Sequence, residues 1–509
     1  MRKNVIAIAV LAALSVVTMR AQDARTTIDA MANALGMLRG LNADDAVLTA
    51  WYEGTGMSYA PGQSWRPDMP WPAAKVTRYR ASIGYYPDQA GMRVEIERTN
   101  PDGLVQGGGG LPFLAPRQQI QVVAGRFGWN ETQPGMNATP ALGAARDRAL
   151  ALWMLPHSVV KAAYLAGADA RVTMDGGATV LTVPVPGMTG TTMTATLDAE
   201  NLIERVEAMV DDPVLGDTVV EVTYAGYGEL GGALLLPTDI LFPARIMRSQ
   251  GGHPILDLTI QDVNAYNPYI IFPVPETVEQ AAAMPSQVRV ETQEVADGVW
   301  YLTGGSHHSV AVEFDDHVVV VEGPLNDARA LAVIDAVKTA IPNKPIRYVV
   351  NTHHHVDHAG GLRAFVADGA TVITQAQAAD YFAQAWANPH TLNPDRLAQA
   401  PREPVIEGVD ERRVLTDGTR TLELHRLQDS NHADTMLVAY LPADNILIEA
   451  DVYTPAPPNA PPPATPHPES VNLYNNIERL QLDVAQILPI HGRQVTLDDL
   501  RAAIGRTGN

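Results

Sequence analysis

The chain has 509 residues, more than one hydrophobic core usually organises, so two or three domains are expected. Its formal net charge of −21 disfavours a nucleic-acid partner, because an acidic surface repels phosphate groups. The complete absence of cysteine excludes disulfides and lipoprotein acylation.

The N-terminus has the pattern of a secretory signal. Met1-Arg2-Lys3 is basic, and the apolar run that follows, 5–17, is short for a membrane helix. We predict a signal peptide over 1–21; Met19 is large for a cleavage motif, so an uncleaved anchor is the alternative. No later segment has the length and apolarity of an integral membrane span. The mature protein is therefore expected in the periplasm or outside the cell.

Residues 23–285 are predicted to form a β-rich, antiparallel domain of unknown role. Alternation of apolar and polar residues indicates strands at 180–185, 191–197, 219–224 and 255–263. A helix is predicted over 141–155, and the glycine run at 106–110 is predicted to be a loop. The pattern resembles the curved open sheets of periplasmic lipoprotein-carrier-like domains. Trp51, Trp65 and Trp71 are predicted to cover the open face of the sheet, with a hydrophobic groove as the alternative.

Residues 286–509 have a different pattern of apolar residues, and they follow a proline-containing boundary at 270–286. Strands and helices mix here in a way typical of sheets covered by helices, so the whole chain is predicted to be a multidomain protein of mixed α and β structure. Strands are predicted at 299–302, 310–314, 318–321, 346–350, 370–373, 420–427, 435–441 and 445–450, and helices at 328–340, 359–367 and 376–386.

A histidine-rich turn follows the strand predicted at 346–350. The stretch NTHHHVDHAGG, 351–361, places four histidines and one aspartate within six positions. His353 and His355 are two residues apart and could bind one metal ion, while Asp357 and His358 could serve a second ion nearby. Neutral imidazole and carboxylate suit zinc, and a ligand set without thiolate also tolerates iron or manganese.

One turn cannot complete two metal sites, so further ligands are expected later in the chain. His432, Asp451 and His491 each follow an apolar run, as ligands on the loops of a rigid scaffold should. A histidine-rich turn alone could be a chance cluster or a solvated metal scavenger. Seven candidate ligands at strand ends argue strongly against both alternatives.

These residues make 286–509 similar to the metallo-β-lactamase-fold hydrolases, whose fold is an αββα sandwich with a metal site at one edge. The resemblance rests on Thr-His-x-His-x-Asp-His at 352–358, His432, Asp451 and Pro-Ile-His-Gly at 489–492. It implies a first metal held by His353, His355 and His432. It implies a second held by Asp357, His358 and His491, with Asp451 bridging and His354 a bystander.

The resemblance implies an enzyme with two zinc ions. Two ions about 3.5–4 Å apart can share a water and lower its pKa, which gives a bridging hydroxide nucleophile. Asp357 would then be the catalytic group that moves a proton to the leaving group. An ester, lactone, thioester or amide of a neutral or hydrophobic small molecule is the expected substrate, since the acidic chain disfavours polyanions.

Three departures from the family pattern lie beside the ligands. Asn431 and Ala450 stand where the family usually has glycine, and Glu322-Gly323 where many members have Asp-x-Gly. Asp451 itself stands where many true β-lactamases of this fold have cysteine or serine. β-Lactamase activity is therefore an alternative rather than the leading prediction.

A second alternative is a periplasmic carrier that holds a lipophilic ligand in the first domain and keeps a structural metal site. His307, His308 and Tyr474 are possible substrate contacts, because the two histidines are predicted to lie on a hairpin near the metals and Tyr474 flanks a proline-rich segment. The sequence makes no prediction of oligomeric state.

Overall fold

A computed structural model of the protein describes the chain in eight ranges: 24–38, 47–86, 89–230, 240–265, 270–284, 288–458, 460–461 and 463–506. The predicted signal peptide over 1–21 lies outside them. So does part of the predicted boundary, at 285–287, and the division at 286 stays a prediction. Strands before residue 266 form one sheet, and strands after residue 290 form two others.

Helices flank both parts of the chain. The bounds of the α-helices are α1 Ala24–Ala34, α2 Ala145–Trp153, α3 Pro156–Ala166, α4 Glu276–Ala283, α5 Asp327–Ala340, α6 Val356–Ala359, α7 Leu362–Asp368, α8 Ala376–Ala385, α9 Arg396–Gln399, α10 Pro468–Leu480 and α11 Leu497–Ala503. Short 3-10 helices lie at Leu142–Ala144 and Gly167–Asp169.

The first sheet contains 13 strands within the described residues. They are β1 Thr49–Tyr59, β2 Ala73–Tyr86, β3 Gln89–Thr99, β4 Arg117–Ala124, β5 Phe127–Glu131, β6 Thr139–Pro140, β7 Arg171–Asp175, β8 Ala178–Pro184, β9 Thr192–Leu197, β10 Ile203–Asp212, β11 Gly216–Gly228, β12 Phe242–Gln250 and β13 His253–Ala265.

This sheet consists of two antiparallel meanders joined at its centre. Their order is β6-β5-β4-β3-β2-β1-β13-β12-β11-β10-β9-β8-β7, so the first and last strands pair, for example Trp51 with Asn264. Helices α1, α2 and α3 pack on one face through a large apolar cluster that includes Met31, Leu152 and Val159. The expected β-rich antiparallel structure is thus present in the first part of the chain, whereas its extent as a domain and its likeness to lipoprotein carriers stay expectations.

Two further sheets form the second part. Their strands are β14 Glu291–Ala296, β15 Val299–Thr303, β16 Ser309–Glu313, β17 Val318–Val321, β18 Ile346–Val350, β19 Thr371–Gln375, β20 Ile406–Val409, β21 Arg412–Thr416, β22 Thr421–Arg426, β23 Leu437–Leu441, β24 Ile446–Glu449, β25 Gln486–Pro489 and β26 Val495–Thr496. Strands β14 to β20 form one sheet and β21 to β26 the other, each in sequence order.

The two sheets pack face to face and carry helices on their outer faces. A buried cluster that includes Val319, Leu424 and Ile448 joins their inner faces. Helices α5, α7 and α8 cover the first sheet, and α10 and α11 cover the second. Strand β17 is 0% exposed at all four valines, because both of its faces are covered. This is the αββα sandwich that the sequence predicts.

The β10–β11 hairpin of the first sheet inserts into the second part. Val214 at its tip is fully buried in the cluster formed by α5, α7 and α8. Asp212 accepts hydrogen bonds from the backbone N–H groups of Val214 and Leu215, at 2.9 and 2.8 Å, which shapes the turn. Asp217 accepts from the backbone N–H of Thr391 at 2.9 Å. The hairpin therefore holds the two parts of the chain together.

The predicted strands are all present, with bounds within two residues except for the one predicted at 219–224, which is the middle of the longer β11. The helix predicted over 141–155 is present as the 3-10 helix Leu142–Ala144 followed directly by α2, which ends at Trp153; Pro156 then begins a separate helix, α3. The helix predicted over 359–367 is two pieces, α6 and α7, interrupted at 360–361. Trp65 takes part in the contact between the two parts of the chain, because its indole N–H donates to the Ser430 carbonyl at 2.8 Å.

Among the described residues, no single helix has the length and apolarity to cross a membrane. The segments Leu142–Trp153 and Pro156–Asp169 meet that criterion only when taken together, and they are bent by 94° at their junction.

Candidate metal centre

Histidine and aspartate side chains converge at one edge of the sandwich. Each belongs to a connection that leaves a strand: His307 after β15, the turn 351–358 after β18, His432 after β22, Asp451 after β24 and His491 after β25. Within each sheet these strands run in the same direction, so their carboxyl ends lie at the same edge and side chains that are distant in sequence meet there. The structure thus brings together all seven of the predicted ligands.

The first group contains His353, His355, His432 and Asp451, whose candidate ligand atoms all lie within 4.8 Å of one another. His353 Nε2 is 3.0 Å from His355 Nδ1 and 3.3 Å from His432 Nε2. Asp451 Oδ2 is 3.0 Å from His432 Nε2. Three nitrogens and one oxygen around a common point match the ligand number of a tetrahedral zinc site.

The second group contains His307, His358 and His491, again within 4.8 Å of one another. His358 Nε2 lies 3.3 Å from His491 Nε2 and 3.9 Å from Asp357 Oδ2. His307 Nε2 is 3.3 Å from the same Asp357 oxygen. The sequence placed Asp357 here and left His307 as a possible substrate contact, so the structure adds a candidate ligand.

Asp451 connects the two groups. Its Oδ2 faces His432, and its Oδ1 is 2.7 Å from His491 Nε2 and 3.0 Å from His358 Nε2. Its backbone φ of 62° is in the left-handed region, which is uncommon for a residue with a side chain and occurs where a site demands it. One carboxylate thus presents an oxygen to each group, as a bridging ligand must.

Neighbouring acceptors fix which ring nitrogen of each histidine faces the centre. His358 Nδ1 donates to Glu322 Oε2 at 3.1 Å, and His491 Nδ1 donates to the Ser306 carbonyl at 3.0 Å. Both Nε2 atoms are therefore left facing Asp451. Hydrogen bonds of this kind set the tautomer and orientation of metal-binding histidines in general.

Electrostatics keep the first group in the protonation state that binds metal. Burial and the nearby His358 and His355 lower the pKa of His353 well below its usual value. Burial, with His432 and His354, lowers the pKa of His355 in the same way. Both rings are therefore neutral at pH 7 and keep a lone pair for a cation.

The carboxylates are held ionised against the effect of burial. Burial alone would raise the pKa of Asp451, but His358 and His432 outweigh it and hold that pKa well below the usual range. The pKa of Asp357 is likewise low, because His358 and a hydrogen bond from His307 oppose burial. In turn, the acidic neighbours of His358 overcome its burial and raise its pKa.

A metal fits this set of residues. Neutral imidazoles and ionised carboxylates are the donor chemistry of zinc, iron and manganese sites. Asp451 Oδ1 is buried beside the Nε2 atoms of His358 and His491 and makes no well-formed hydrogen bond to the described residues, a placement in which a cation between the three groups would compensate its charge. The predicted metal cofactor is thus consistent with the geometry.

The centre is reachable from solvent on one side. His353, His355 and His358 are fully buried, whereas the side chains of Asp357 and His491 are 33% and 21% exposed. The second group therefore forms the accessible side, where a substrate could approach. A fully closed site would have favoured a structural metal.

The other two residues predicted as possible substrate contacts are His308 and Tyr474. His308 is turned away from the ligands, and its Nδ1 lies 2.7 Å from the Tyr301 hydroxyl. Tyr474 is buried in the cluster around α10 and α11, beneath the guanidinium group of Arg506 at 4.7 Å. Neither side chain is among the grouped candidate ligands, and their role as substrate contacts stays a prediction.

His354, which is expected to bind no metal, is hydrogen-bonded at both ring nitrogens and lies outside the two ligand groups. Its Nδ1 lies 2.7 Å from Thr435 Oγ1 and its Nε2 lies 3.1 Å from Ser64 Oγ. Ser64 and its neighbour Gln63 come from the first domain and were missed by sequence reasoning. They are about 290 residues from the turn they contact, and no local pattern signals such a contact.

A match to a known protein family covers the residues that form the candidate metal centre, apart from Gln63 and Ser64. The family model described as the metallo-beta-lactamase superfamily matches residues 302–491. A curated relative, 2,4-dinitroanisole O-demethylase subunit alpha of Nocardioides sp. (strain JS1661), is 28% identical over 93 residues. That match covers 18% of this chain and only 28% of the relative.

Two solved structures align with part of this chain. A metallo-beta-lactamase from Pontibacter korlensis has 18% identity and a TM-score of 0.34, covering 43% of this chain and 98% of that chain. A metallo-beta-lactamase from Hirschia baltica has 19% identity and a TM-score of 0.32, covering 42% and 95%. The αββα sandwich, the converging ligands and the family match over 302–491 agree, and the C-terminal part of this chain has the metallo-β-lactamase fold.

Proposed function

We propose that the protein is an exported hydrolase that uses two divalent metal ions, zinc first and iron or manganese as alternatives. Its expected substrate is a neutral or hydrophobic small molecule with an ester, lactone, thioester or amide bond. The match to the superfamily supports hydrolase-type chemistry in general. The number and identity of the ions, the bond that is cleaved and the export are the proposal.

The arrangement around Asp451 carries this proposal. Its two oxygens face two separate groups of nitrogens, at 3.0 Å from His432 and 2.7 Å from His491. A single structural ion would need only one such group. Two complete groups that share a carboxylate are the arrangement expected of a dinuclear hydrolytic centre.

Bound divalent ions would supply Lewis acidity and lower the pKa of water at the site. The chain's own residues would do the rest. Asp357 is ionised and partly exposed, so it can accept a proton from the attacking water and pass it to the leaving oxygen or nitrogen. His307, 3.3 Å from the same carboxylate, holds Asp357 towards the second group.

The decisive experiment measures metal content and hydrolysis on the same purified protein. The panel contains chromogenic esters, a lactone, a thioester, an amide, a phosphodiester and a cephalosporin. It also contains an aryl methyl ether, because the relative from Nocardioides is named as an O-demethylase subunit. Asp451→Ala removes the shared carboxylate, and Asp498→Ala, an exposed aspartate on α11, is the matched control.

We expect about two ions per chain and turnover of one bond class, with turnover reduced at least about a thousandfold in Asp451→Ala and unchanged in Asp498→Ala. Turnover of the cephalosporin alone would establish the β-lactamase alternative. A protein that holds metal but cleaves nothing, or activity that survives Asp451→Ala, would contradict the hydrolase.

One observation favours the carrier alternative. A cavity of about 1360 Å³ lies against the first sheet, lined by groups that include Tyr86, Trp153 and Met188. None of the residues that line it is a candidate metal ligand. If the protein fails to hydrolyse the panel, binding of a lipophilic fluorescent probe, displaced by long-chain ligands, tests this second function.

A further inference from the structure

Two turns of the first domain lie directly over the metal-ligand loops. We call residues 62–65 and 107–109 the covering turns. The backbone N–H of Gly107 donates to the Asn431 carbonyl at 2.7 Å, and the backbone N–H of Asp434 donates to the Trp65 carbonyl at 2.8 Å. These bonds flank His432. The covering turns are therefore fixed to the loop that carries a ligand of the first group.

A second contact reaches a ligand itself. His355 Nε2 lies 2.9 Å from the backbone carbonyl oxygen of Ser64. A carbonyl oxygen can only accept, so Nε2 carries the proton and Nδ1 of the neutral ring is left with its lone pair. Nδ1 is the atom that faces His353 Nε2 at 3.0 Å. The first domain thus selects the nitrogen of His355 that is available to a metal.

A third contact reaches Asp357. Gln63 Nε2 donates to Asp357 Oδ1 at 2.7 Å, and Gln63 Oε1 accepts from the backbone N–H of Gly109 at 2.9 Å. The Gly109 bond fixes the orientation of the amide, because it requires the oxygen on that side and the NH₂ group on the other. Asp357 Oδ1 is thereby occupied, and Oδ2 is the oxygen that faces His307 and His358.

The packing around this amide leaves no spare room. Gln63 is 9% exposed. A Cβ added at Gly108 would overlap the Gln63 amide oxygen and lie 2.8 Å from His355 Cε1. Glycine at 108 is thus needed for the close approach of the first domain to the ligands, not for an unusual backbone angle.

We propose that the first domain completes the metal centre, with Gln63 as a positioning residue for Asp357 and the Ser64 carbonyl as the group that orients His355. This deepens the proposed function, since it assigns a role in the same site to a domain otherwise of unknown role. Gln63 acts through Asp357 and does not itself bind metal.

The test compares the Gln63→Met and Gln118→Met variants of the protein purified from cells that express the whole chain. Methionine keeps the length of glutamine but removes its hydrogen bonds. Gln118 is exposed on β4, where it donates to Glu97 at 2.9 Å, and it is a matched control outside the covering turns. Gly108→Ala is a second variant, which disturbs the same contacts by adding a Cβ against Gln63 and His355. Gly143→Ala is its control, because a Cβ there meets nothing within 4 Å.

The primary readout is the visible absorption spectrum of protein loaded with Co²⁺, together with Co²⁺ affinity from chelator competition. We expect Gln63→Met to change the d–d bands and to weaken the second ion 10- to 100-fold. The turnover number should fall by a similar factor, with KM within about threefold of the wild type. Gly108→Ala should disturb the same bands, while both controls match the wild type.

Each outcome decides the proposal. An unchanged spectrum and affinity in Gln63→Met would overturn it and reduce the contact to packing. A fall in the melting temperature of the metal-free protein, by more than about 5 °C and in step with the lost affinity, would make Gln63 merely structural and would overturn it as well. If the wild type cleaves no substrate, the proposed hydrolase fails, yet the cobalt spectra still decide the role of Gln63.

Discussion

Glu322 accepts a hydrogen bond from His358, with Oε2 3.1 Å from Nδ1 and both side chains fully buried. Glu322 also accepts from Thr352 Oγ1 and has a φ of 80°, in the left-handed region. Non-glycine residues with a left-handed backbone cluster at functional sites, so we expect Glu322 to have a role in this one. That role is to fix the ring of His358, so the departure from the usual Asp-x-Gly pattern keeps an acidic acceptor here.

Glu322→Gln should weaken binding of the second ion by about 10- to 100-fold, because both carboxylate oxygens accept hydrogen bonds here and an amide has only one acceptor oxygen. Oε2 accepts from Thr352 and His358, and Oε1 accepts from the side-chain amide of Asn351 at 3.3 Å, so the amide must lose one of these sets of bonds. Chelator competition on the purified protein measures this. Glu313→Gln is the control, since Glu313 is partly exposed and pairs with Lys344 at 2.7 Å. Equal affinities in the two variants would show that Glu322 does not orient His358.

Substitutions of the neighbouring His307 and His308 should affect different properties, metal affinity for His307 and stability for His308. His307→Ala removes the nitrogen 3.3 Å from Asp357 Oδ2, so affinity for the second ion should fall about tenfold or more. His308→Phe removes the contact with the Tyr301 hydroxyl and should lower the free energy of unfolding by about 1 kcal/mol, with metal affinity unchanged. Metal titration and urea unfolding of both variants check this, and the reverse pattern would exchange the two roles.

The sequence allowed the second part of the fold and the ligand set to be predicted, since His353, His355 and Asp357 follow a short apolar strand and carry their own chemistry. It did not allow α10 to be predicted. That helix begins at Pro468, directly after a proline-rich segment that indicates extended structure. Nor did it allow the contact of Gln63 with Asp357 to be predicted. That contact depends on how two domains dock, and no local periodicity encodes it.

The β10–β11 hairpin should contribute measurably to stability. Val214→Ala removes two buried methyl groups from the core of the second part, at an expected cost of about 2 kcal/mol in the free energy of unfolding. Val219→Ala is the control, because Val219 is 37% exposed and its loss should cost less than about 0.5 kcal/mol. Urea unfolding followed by tryptophan fluorescence measures both, and equal midpoints would mean that the hairpin tip does not anchor the two parts.

His157 should make the first domain sensitive to mild acid. Burial lowers its pKa to about 4, and its Nε2 has no hydrogen-bond partner among the described residues. In the unfolded chain the pKa has the ordinary value of 6.5. Between pH 6.5 and pH 4 the unfolded state therefore binds a proton that the folded state does not bind. Stability is therefore full above pH 6.5 and falls as the pH drops towards 4, by about 2 kcal/mol at pH 5.

His157→Leu should remove this part of the pH dependence. The loss in free energy of unfolding between pH 7.5 and pH 5 should be about 2 kcal/mol smaller in the variant than in the wild type. Phe242→Leu separates packing from protonation, because the Phe242 ring stacks on His157 at 5.9 Å and its loss should destabilise equally at both pH values. Urea unfolding at the two pH values measures all three proteins. The same pH-dependent loss in His157→Leu as in the wild type would place the acid sensitivity in another group, because leucine has no proton to gain.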